Sequence, residues 1–436
     1  MTVPGRLTIY AAALLVALSL LAVVMPHLAL LTFIGDAALL ALAVFDALLL
    51  RRTAVEVHPI PPARMVANEP CDIGYRAVNT SRHTLCFLLR QTWPTEIRCA
   101  EEKLSVTLRS GEQTDLLFNI IPAQRGPTEL PIAQGAMQLA LPWARRLFPL
   151  PPMPPQTVFP ATDGIRKYEI LRRHRALAQV GVHRLRLVGA GREFEQLRDY
   201  GPDDEYRNIN WKATARRGKL VATTYQTERS QDVILCIDSS RMMGTPAGDK
   251  TALDYAVDAA VVLAHASSRQ QDRVGLILFS ETLQTALKPA TGARAVADVV
   301  RRLAAARSTP VYPSFGLLGE ALRSRFKRRS MVFLFTDLND PQLVSNMRDN
   351  LLPAARRHFL TIISLRDALI DRVAAGAPEN SRGLYQVLAA NALTQERQQT
   401  LAQLRYAGAH VLQAHADSLS MAVINRYLEI KARQQL

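Results

Sequence analysis

Four short apolar runs, spaced so that a helix fits between each pair, constrain the fold of this 436-residue chain most strongly. They cover residues 233–237, 274–279, 331–335 and 359–365. Runs that are apolar throughout, rather than alternating with polar residues, are typical of parallel strands buried on both faces. Their alternation with helical stretches predicts an open, doubly wound α/β sheet over residues 231–436.

Polar residues follow two of these strands directly. The first run ends in Asp238, Ser239 and Ser240, and the third is followed by Thr336 and Asp337. In open α/β sheets ligands bind in the crevice beyond the carboxyl ends of the strands. Asp238 and Asp337 are therefore the first candidates for a functional site.

The first 52 residues predict a membrane anchor. Residues 7–25 contain no charged residue and residues 28–50 are nearly as apolar, so each is long enough to cross a bilayer as a helix. Pro26 and His27 would form the turn between them, and a buried hairpin of a soluble domain is the alternative. Arg6 and the pair Arg51–Arg52 flank the two segments, which by the positive-inside rule places both ends in the cytoplasm.

This topology predicts a multi-pass protein of the inner membrane, with all residues after 52 in the cytoplasm. Asp36 lies deep in the second segment, where a carboxylate is a functional hypothesis by default. It is alternatively protonated, or bonded to Thr32 or Ser19. The four cysteines lack metal-ligand spacing, and a cytoplasmic location disfavours disulfides. Cys236, inside an apolar run, is expected to be a small buried residue.

Residues 53–160 predict a small antiparallel β-sandwich. Short alternating runs at 71–78, 84–91, 104–108 and 114–121 are separated by turn residues. No catalytic constellation occurs there, so a partner-binding role is expected. The proline-rich stretch 150–155 predicts a semi-rigid linker.

Residues 161–230 form a basic linker followed by a charged segment. Over the whole chain, lysine and arginine exceed aspartate and glutamate by 53 − 38 = 15. Within this segment, the stretch 164–186 is especially basic. A helix there is expected to contact anionic lipid, although an ordinary solvated face explains the pattern equally well. Without a reader motif or an aromatic array, no specific nucleic-acid binding is expected. Further on, Asp203 and Asp204 lie in an acidic turn amid arginines, which predicts an ion-pair network or, alternatively, a cation site.

The sequence EFEQLRDYGPDDEYRNINWKATAR, followed by a strand ending in Asp-Ser-Ser, resembles the signature of the bacterial family called domain of unknown function 58 (DUF58). Members are membrane-anchored and carry a degenerate von Willebrand factor type A domain. The resemblance extends to the two apolar segments and to a β-rich region with an Arg-Gly turn. It implies a von Willebrand factor A-like sheet with helices near 250–267, 292–305, 317–326, 343–357 and 418–433. Strands are expected at 282–287 and 410–413.

The resemblance also implies a metal site. In von Willebrand factor A domains a divalent cation is held by Asp-x-Ser-x-Ser, by a threonine from a middle loop and by a later aspartate. Asp238, Ser240 and Asp337 match three of these five positions, which implies a degenerate Mg²⁺ site built from oxygen ligands. Met242 replaces the last serine and Gly316 the threonine, with Ser314 nearby. The alternative is that the two aspartates only accept hydrogen bonds at the strand ends.

Three functions follow from these observations. The first is a non-enzymatic interaction protein, because members of the resembled family commonly accompany MoxR-type AAA ATPases, which implies such a partner in protein assembly or activation. The second is a metal-dependent hydrolase near the membrane, acting through Asp203, Asp204, Asp238 and Asp337. It lacks an identifiable nucleophile or base. The third, a basic surface binder of membranes or nucleic acid, depends on charge alone.

Overall fold

The computed structural model describes the chain except residues 23–28, 140–142, 179–192, 202–205, 207–208, 227–229, 339, 367, 378–379 and 434–436. It divides into two compact units, Met1–Phe159 and Pro160–Leu436. The predicted turn at Pro26 and His27 lies outside the described residues.

The first unit contains two apolar helices and a set of mostly antiparallel strands. Its elements are β1 Thr2–Pro4, α1 Arg6–Ala22, α2 Ala29–Arg52, β2 Val55–Ile60, β3 Met65–Val66, β4 Cys71–Asn79, β5 Leu85–Arg90, β6 Ile97–Cys99, β7 Lys103–Leu108, β8 Gln113–Pro122, β9 Gly126–Thr128, β10 Gln134–Leu139, β11 Ala144–Pro149 and β12 Gln156–Phe159.

The strands of this unit form sheets that share one core. A five-stranded sheet has the order β1-β11-β10-β5-β7, a four-stranded sheet has the order β2-β4-β8-β6, and β3, β12 and β9 form a third. Alternate residues of β8 are buried, among them Phe118, which joins Tyr75 and Phe87 in the core. The four strands expected from alternation are confirmed, because period-2 burial is what that pattern encodes.

The stretch 150–155 is not a linker between domains. It connects β11 to β12 inside the first unit, and Leu150 is buried in the sandwich core while Met153 packs against it. Proline suits residues 151, 152, 154 and 155 because they lie in no strand, so a missing N–H breaks no ladder hydrogen bond.

Helices α1 and α2 pack against each other. A Cβ added to Gly35 would lie only 2.7 Å from Leu15 Cδ2, so the absence of a side chain permits close approach. The stretch Thr32–Arg52 is long and apolar enough to cross a membrane, whereas Arg6–Leu20 is a shorter apolar helix. The Ser19 hydroxyl donates to the Val16 carbonyl oxygen rather than to Asp36, whose side chain is exposed.

Strand β11 contacts the chain at the start of α1 and near the end of α2. Strand β1, just before α1, pairs antiparallel with β11, and near the end of α2 the buried Asp46 accepts a 2.6 Å hydrogen bond from Ala144 N. Leu50, in the last turn of α2, is fully buried. The sequence did not predict either contact, because both pair residues about 100 or more positions apart.

The second unit contains the predicted α/β sheet. Its elements are α3 Asp163–Ala178, β13 Glu193–Asp199, α4 Trp211–Arg217, β14 Val221–Gln226, β15 Asp232–Asp238, β16 Pro246–Ala247, β17 Lys250–Thr251, α5 Ala252–Arg269, β18 Arg273–Phe279, β19 Leu283–Ala290, α6 Gly292–Ala305, α7 Phe315–Arg325, β20 Met331–Phe335, α8 Pro341–Asn346, α9 Leu352–Ala355, β21 Phe359–Arg366, α10 Ala368–Ala375, α11 Ser381–Tyr406, β22 His410–His415 and α12 Leu419–Ala432.

The strand order of this sheet is β19-β18-β15-β20-β21-β22, with β19 as an antiparallel edge. All seven residues of β15 are buried, and its side chains enter two cores, one on each face of the sheet. The continuous apolar run therefore predicted a central strand correctly.

Two regions differ from expectation. Residues 343–357 form α8, a π-helical turn Met347–Leu351 and α9, rather than one helix, with Pro353 in α9. Helices α10 and α11, between β21 and β22, were not predicted. The N-terminal half of α11 is apolar on its exposed side as well as its buried side, so it lacks a clear helical period.

Candidate functional site

The two candidate carboxylates lie at the carboxyl ends of neighbouring strands. Strands β15 and β20 pair in parallel, with Ile237 opposite Phe335, so Asp238 and the Thr336-Asp337 pair leave the sheet side by side. The sequence prediction that Asp238 and Asp337 share one edge is confirmed. We call Asp238, Ser240, Thr336 and Asp337 the rim.

Asp238 is wholly buried at the base of the rim. Its Oδ1 accepts a 2.8 Å hydrogen bond from Ser240 N, and its Oδ2 accepts a 2.7 Å bond from Thr336 Oγ1. These bonds satisfy a carboxylate that water does not reach. The structure therefore gives Asp238 the hydrogen-bonding role stated as the alternative, and Asp238 itself offers no surface to a partner.

The pKa of Asp238 is raised, chiefly because burial penalises the charged carboxylate. The hydrogen bonds from Thr336 and Ser240 oppose this shift, and the negative charge of Asp337 adds to it. Asp337 is partly exposed. Asp337 is therefore close enough for its charge to disfavour ionisation of Asp238.

The Ser240 side chain is the unusual group of the rim. Its Oγ is buried and has no hydrogen-bond partner of normal geometry in the described protein, although it lies near enough to Asp238 to lower that pKa. A buried hydroxyl without a bond costs free energy, about 1–3 kcal/mol in mutational data. A hydroxyl oxygen of this kind beside the Asp238 carboxylate fits the donor set of a hard cation.

The other two positions of the metal motif are built differently. Met242 packs against the core on one face of the sheet, so its position serves packing. Ser314 is the N-cap of α7 and accepts from Leu317 N. A Cβ on Gly316 would lie near only Asn350, which places Gly316 at an open position. In the described part of the chain, no cluster of three or more His, Cys, Asp or Glu side chains is placed to hold a metal. The rim itself supplies two carboxylates and two hydroxyls.

A pocket opens beside Asp337. Thr245, Thr336 and Asp337 are its polar lining residues, and the rest are apolar. Its apolar lining includes Met243, Pro246, Ala247, Leu365 and Leu419. The pocket lies at the strand ends, where the fold predicts ligand binding, and it combines an apolar lining with a carboxylate.

Sequence reasoning missed two parts of this site. Thr336 was noted only as a neighbour of Asp337, although its hydroxyl is a direct partner of Asp238. Thr309, from the loop before α7, donates to the Ser239 carbonyl oxygen and fixes the chain just after β15. Only the position of Thr336 directly after an apolar strand signalled its role.

The remaining candidates lie elsewhere or outside the described residues. Asp203 and Asp204 are outside them, as are the side chains of residues 171–186. Helix α3 itself is confirmed in the basic stretch 164–186. Tyr168 of α3 is buried against α5 and α12, while Arg166 and Lys167 are exposed. Cys236 is buried, as predicted, and its pKa is raised by burial.

Residues 196–380 match the family model described as "Protein of unknown function DUF58". The "Uncharacterized protein Rv1480" of Mycobacterium tuberculosis is 27% identical over 186 residues, which is 42% of this chain and 57% of that protein. A protein of Mycobacterium bovis, "Uncharacterized protein Mb1516", matches equally. The chain thus spans little more than half the length of the curated relatives it matches.

Solved structures similar to the chain include von Willebrand factor A domains. The conserved hypothetical protein BatB of Bacteroides thetaiotaomicron is 14% identical, with 47% of this chain and 100% of that chain covered and a TM-score of 0.29. The vWF domain of the type V pili tip protein Mfa5 of Porphyromonas gingivalis is 11% identical, with 48% and 97% covered and a TM-score of 0.31.

Proposed function

Because residues 196–380 belong to the DUF58 family, we propose that this protein is a membrane-anchored interaction protein whose rim and adjoining pocket bind a cytoplasmic protein partner. The observation that carries the proposal is the convergence of Asp238, Ser240 and Asp337 from two neighbouring strands beside an apolar pocket. A pocket that joins apolar lining to convergent polar groups suits recognition of a protein side chain.

Direct contact with the partner falls to Asp337 and the pocket, since Asp238 is buried. Asp238 acts from below by holding Thr336 and Ser240 in place through its two hydrogen bonds. Burial of Asp238 favours binding over hydrolysis, because a fully buried carboxylate cannot reach a substrate.

We further propose that Mg²⁺ binds at Asp238, Ser240 and Asp337. A cation there would neutralise Asp337, whose charge disfavours ionisation of Asp238, and it would engage the Ser240 hydroxyl, which has no partner of normal geometry. Mg²⁺ suits the site because it prefers oxygen ligands, and the waters that it retains would lie on the side of the partly exposed Asp337, since Asp238 and Ser240 are buried. An acidic side chain of the partner would complete its coordination.

Membrane anchoring is proposed for the two apolar helices. The stretch Thr32–Arg52 is long enough to span a bilayer, and its packing against α1 supports a hairpin of two spanning helices. Pairing of β1 with β11, and of Asp46 with Ala144, keeps the outer ends of both helices beside one strand. That arrangement supports one side of the membrane for Met1 and for the chain after residue 52, and the flanking arginines favour the cytoplasmic side. Exposed Arg166 and Lys167 on α3 would contact anionic lipid.

The partner that we propose is a MoxR-type AAA ATPase. The test is capture of this ATPase by the full chain in detergent, with Mg²⁺ present. We expect Asp337→Ala to reduce capture at least tenfold, and Asp238→Ala to reduce it through loss of the rim geometry. Asp298→Ala, at an exposed carboxylate on α6, is the matched control and should capture as well as the wild type.

Undiminished capture by both rim variants would exclude the rim as the docking surface. Equal loss in Asp298→Ala would indicate a general charge effect rather than a site. A wild type that captures no ATPase would refute the choice of partner.

A further inference from the structure

Helix α11 carries an apolar surface that nothing in the described protein covers. Its inner face buries Ala390, Thr400, Leu401 and Leu404. On the outer side, Leu384 is 48% exposed, Tyr385 74%, Leu388 56% and Leu393 52%. These residues, with the exposed Ala389 and Ala392, follow i, i+4 spacing along three turns. We call them the α11 stripe: Leu384, Tyr385, Leu388, Ala389, Ala392 and Leu393.

The stripe is also uncharged. Residues 383–395 contain no Asp, Glu, Lys or Arg, in a chain whose formal net charge is +15. Soluble monomers rarely keep a contiguous apolar patch on the surface unless it binds something. The stripe begins at Leu384, just after residue 380, where the match to the family model ends.

We propose that the α11 stripe pairs antiparallel with the same stripe of a second copy of this chain. A two-fold axis brings residue i of one copy to residue j of the other, and j to i. With the axis between Leu388 and Ala389, each Leu388 meets Ala389 of the second copy. Tyr385 then meets Ala392, and Leu384 meets Leu393. Two of these three pairs place a large side chain against a small one, as close helix packing requires.

The charges that flank the stripe select the same arrangement. Arg382 precedes it and Glu396 follows it, and both are exposed. Antiparallel pairing brings Arg382 of one copy to the helical turn that holds Glu396 of the other. Parallel pairing would instead place like charges side by side, which is unfavourable. Elsewhere the positive charge of the chain opposes the approach of two copies, so an uncharged stripe is the favourable place of contact.

One helix pair of this length buries less than the ~800 Å² per partner of a standard interface, so the pairing is weak in dilute solution. Anchoring in a membrane raises the effective concentration of the two copies and compensates for a small interface. The dimer is therefore expected for the full chain in membranes.

Cysteine crosslinking in membranes tests the axis directly. In a full-length chain with Cys71, Cys86 and Cys99 replaced by Ser, Leu388→Cys lies near the axis and should form a disulfide-linked dimer under mild oxidation. Leu384→Cys alone should not, because its partner in the second copy is Leu393. The combination of Leu384→Cys with Leu393→Cys should crosslink between copies, since within one helix the two positions are about 14 Å apart, too far for a disulfide.

Charge reversal provides the second arm. In the Leu388→Cys chain, Arg382→Glu and Glu396→Arg should each lower the dimer fraction several-fold, and the double reversal should restore it. Absence of crosslinking at 388, equal crosslinking of Leu384→Cys alone, or failure of the double reversal to restore the dimer would overturn the proposal. A wild type that forms no dimer, together with a Leu388→Glu variant that no longer captures the ATPase, would assign the stripe to a different protein partner. A wild type that forms no dimer, together with a Leu388→Glu variant that no longer floats with vesicles, would assign the stripe to lipid. Either result would also overturn the proposal.

Discussion

The hydroxyl group of Thr336 donates a 2.7 Å hydrogen bond to Oδ2 of the buried Asp238. This bond ties β20 to β15 at the point where both strands end. It also supplies a donor to a carboxylate that burial would otherwise leave poorly stabilised. The geometry of the rim therefore depends on Asp238, whose own side chain is fully buried.

Removing that donor should destabilise the α/β unit. Thr336→Val keeps the shape of the side chain but leaves Asp238 with one donor fewer, so we expect the free energy of unfolding to fall by about 1.5–3 kcal/mol. Thr336→Ser retains the hydroxyl, so it should lower the free energy of unfolding clearly less than Thr336→Val does. Urea unfolding of both variants measures the difference, and equal stability of Thr336→Val and the wild type would contradict it.

The raised pKa of Asp238 predicts a pH dependence of stability. The folded protein binds the Asp238 proton more tightly than the unfolded chain does, so this contribution to stability is complete below the ordinary pKa of 3.8. It is lost as the pH rises through the higher folded pKa. Asp238→Asn removes the ionisation, and Thr336 can donate to or accept from the amide.

The melting temperature of Asp238→Asn should therefore exceed that of the wild type by more at pH 7 than at pH 4. Thermal scans of both proteins across this range, with chelator present to remove divalent cations, provide the measurement. Parallel curves would mean that Asp238 does not carry the pH dependence.

Tyr427 anchors the last helix to the start of β18. Its hydroxyl donates to Oδ2 of the fully buried Asp272 at 2.5 Å, and Lys431 Nζ reaches the same oxygen at 2.7 Å. Burial raises the pKa of Tyr427, so it remains a proton donor at ordinary pH. Tyr427→Phe should lower the free energy of unfolding by about 1.5–3 kcal/mol, the range for a bond to a charged group.

Denaturant unfolding checks the Tyr427 prediction, with the exposed Tyr406→Phe in α11 as a matched control that should leave stability unchanged. If both substitutions have the same effect, the bond to Asp272 does not contribute measurably.

Mg²⁺ should stabilise the protein if it binds the rim. At 100 times the dissociation constant, a ligand specific for the folded state adds about 2.7 kcal/mol to the free energy of unfolding. The melting temperature should therefore rise with Mg²⁺ concentration in the wild type and not in Asp337→Asn. The same rise in melting temperature in the wild type and in Asp337→Asn would mean that Mg²⁺ binds somewhere other than the rim.

The proposed two-helix anchor predicts that both chain ends are cytoplasmic. Reporter proteins fused before Met1 and after Leu436 should therefore give cytoplasmic signals, because two spanning helices return the chain to its starting side. Opposite locations for the two reporters would mean that a single helix spans the membrane.

The sequence predicted the parts of this protein whose information is local. The run 233–237 specified a strand buried on both faces, and alternation in the strand Gln113–Pro122 specified one buried face, because the periodicity of apolar residues follows backbone geometry. The edge shared by Asp238 and Asp337 was also predictable, since the ends of parallel strands meet on one side of the sheet.

Tertiary structure alone decided the rest. No local pattern could indicate that Thr336 bonds to Asp238 across 98 residues, that Ser240 keeps a buried hydroxyl without a bond, or that Asp46 holds the backbone of Ala144. Burial and hydrogen-bond partners are properties of groups brought together by the fold, so they depend on packing between distant segments rather than on residue type. For the same reason, the sequence placed the carboxylates at the rim, but only the packed structure determined that Asp238 lies beneath it and Asp337 at its surface.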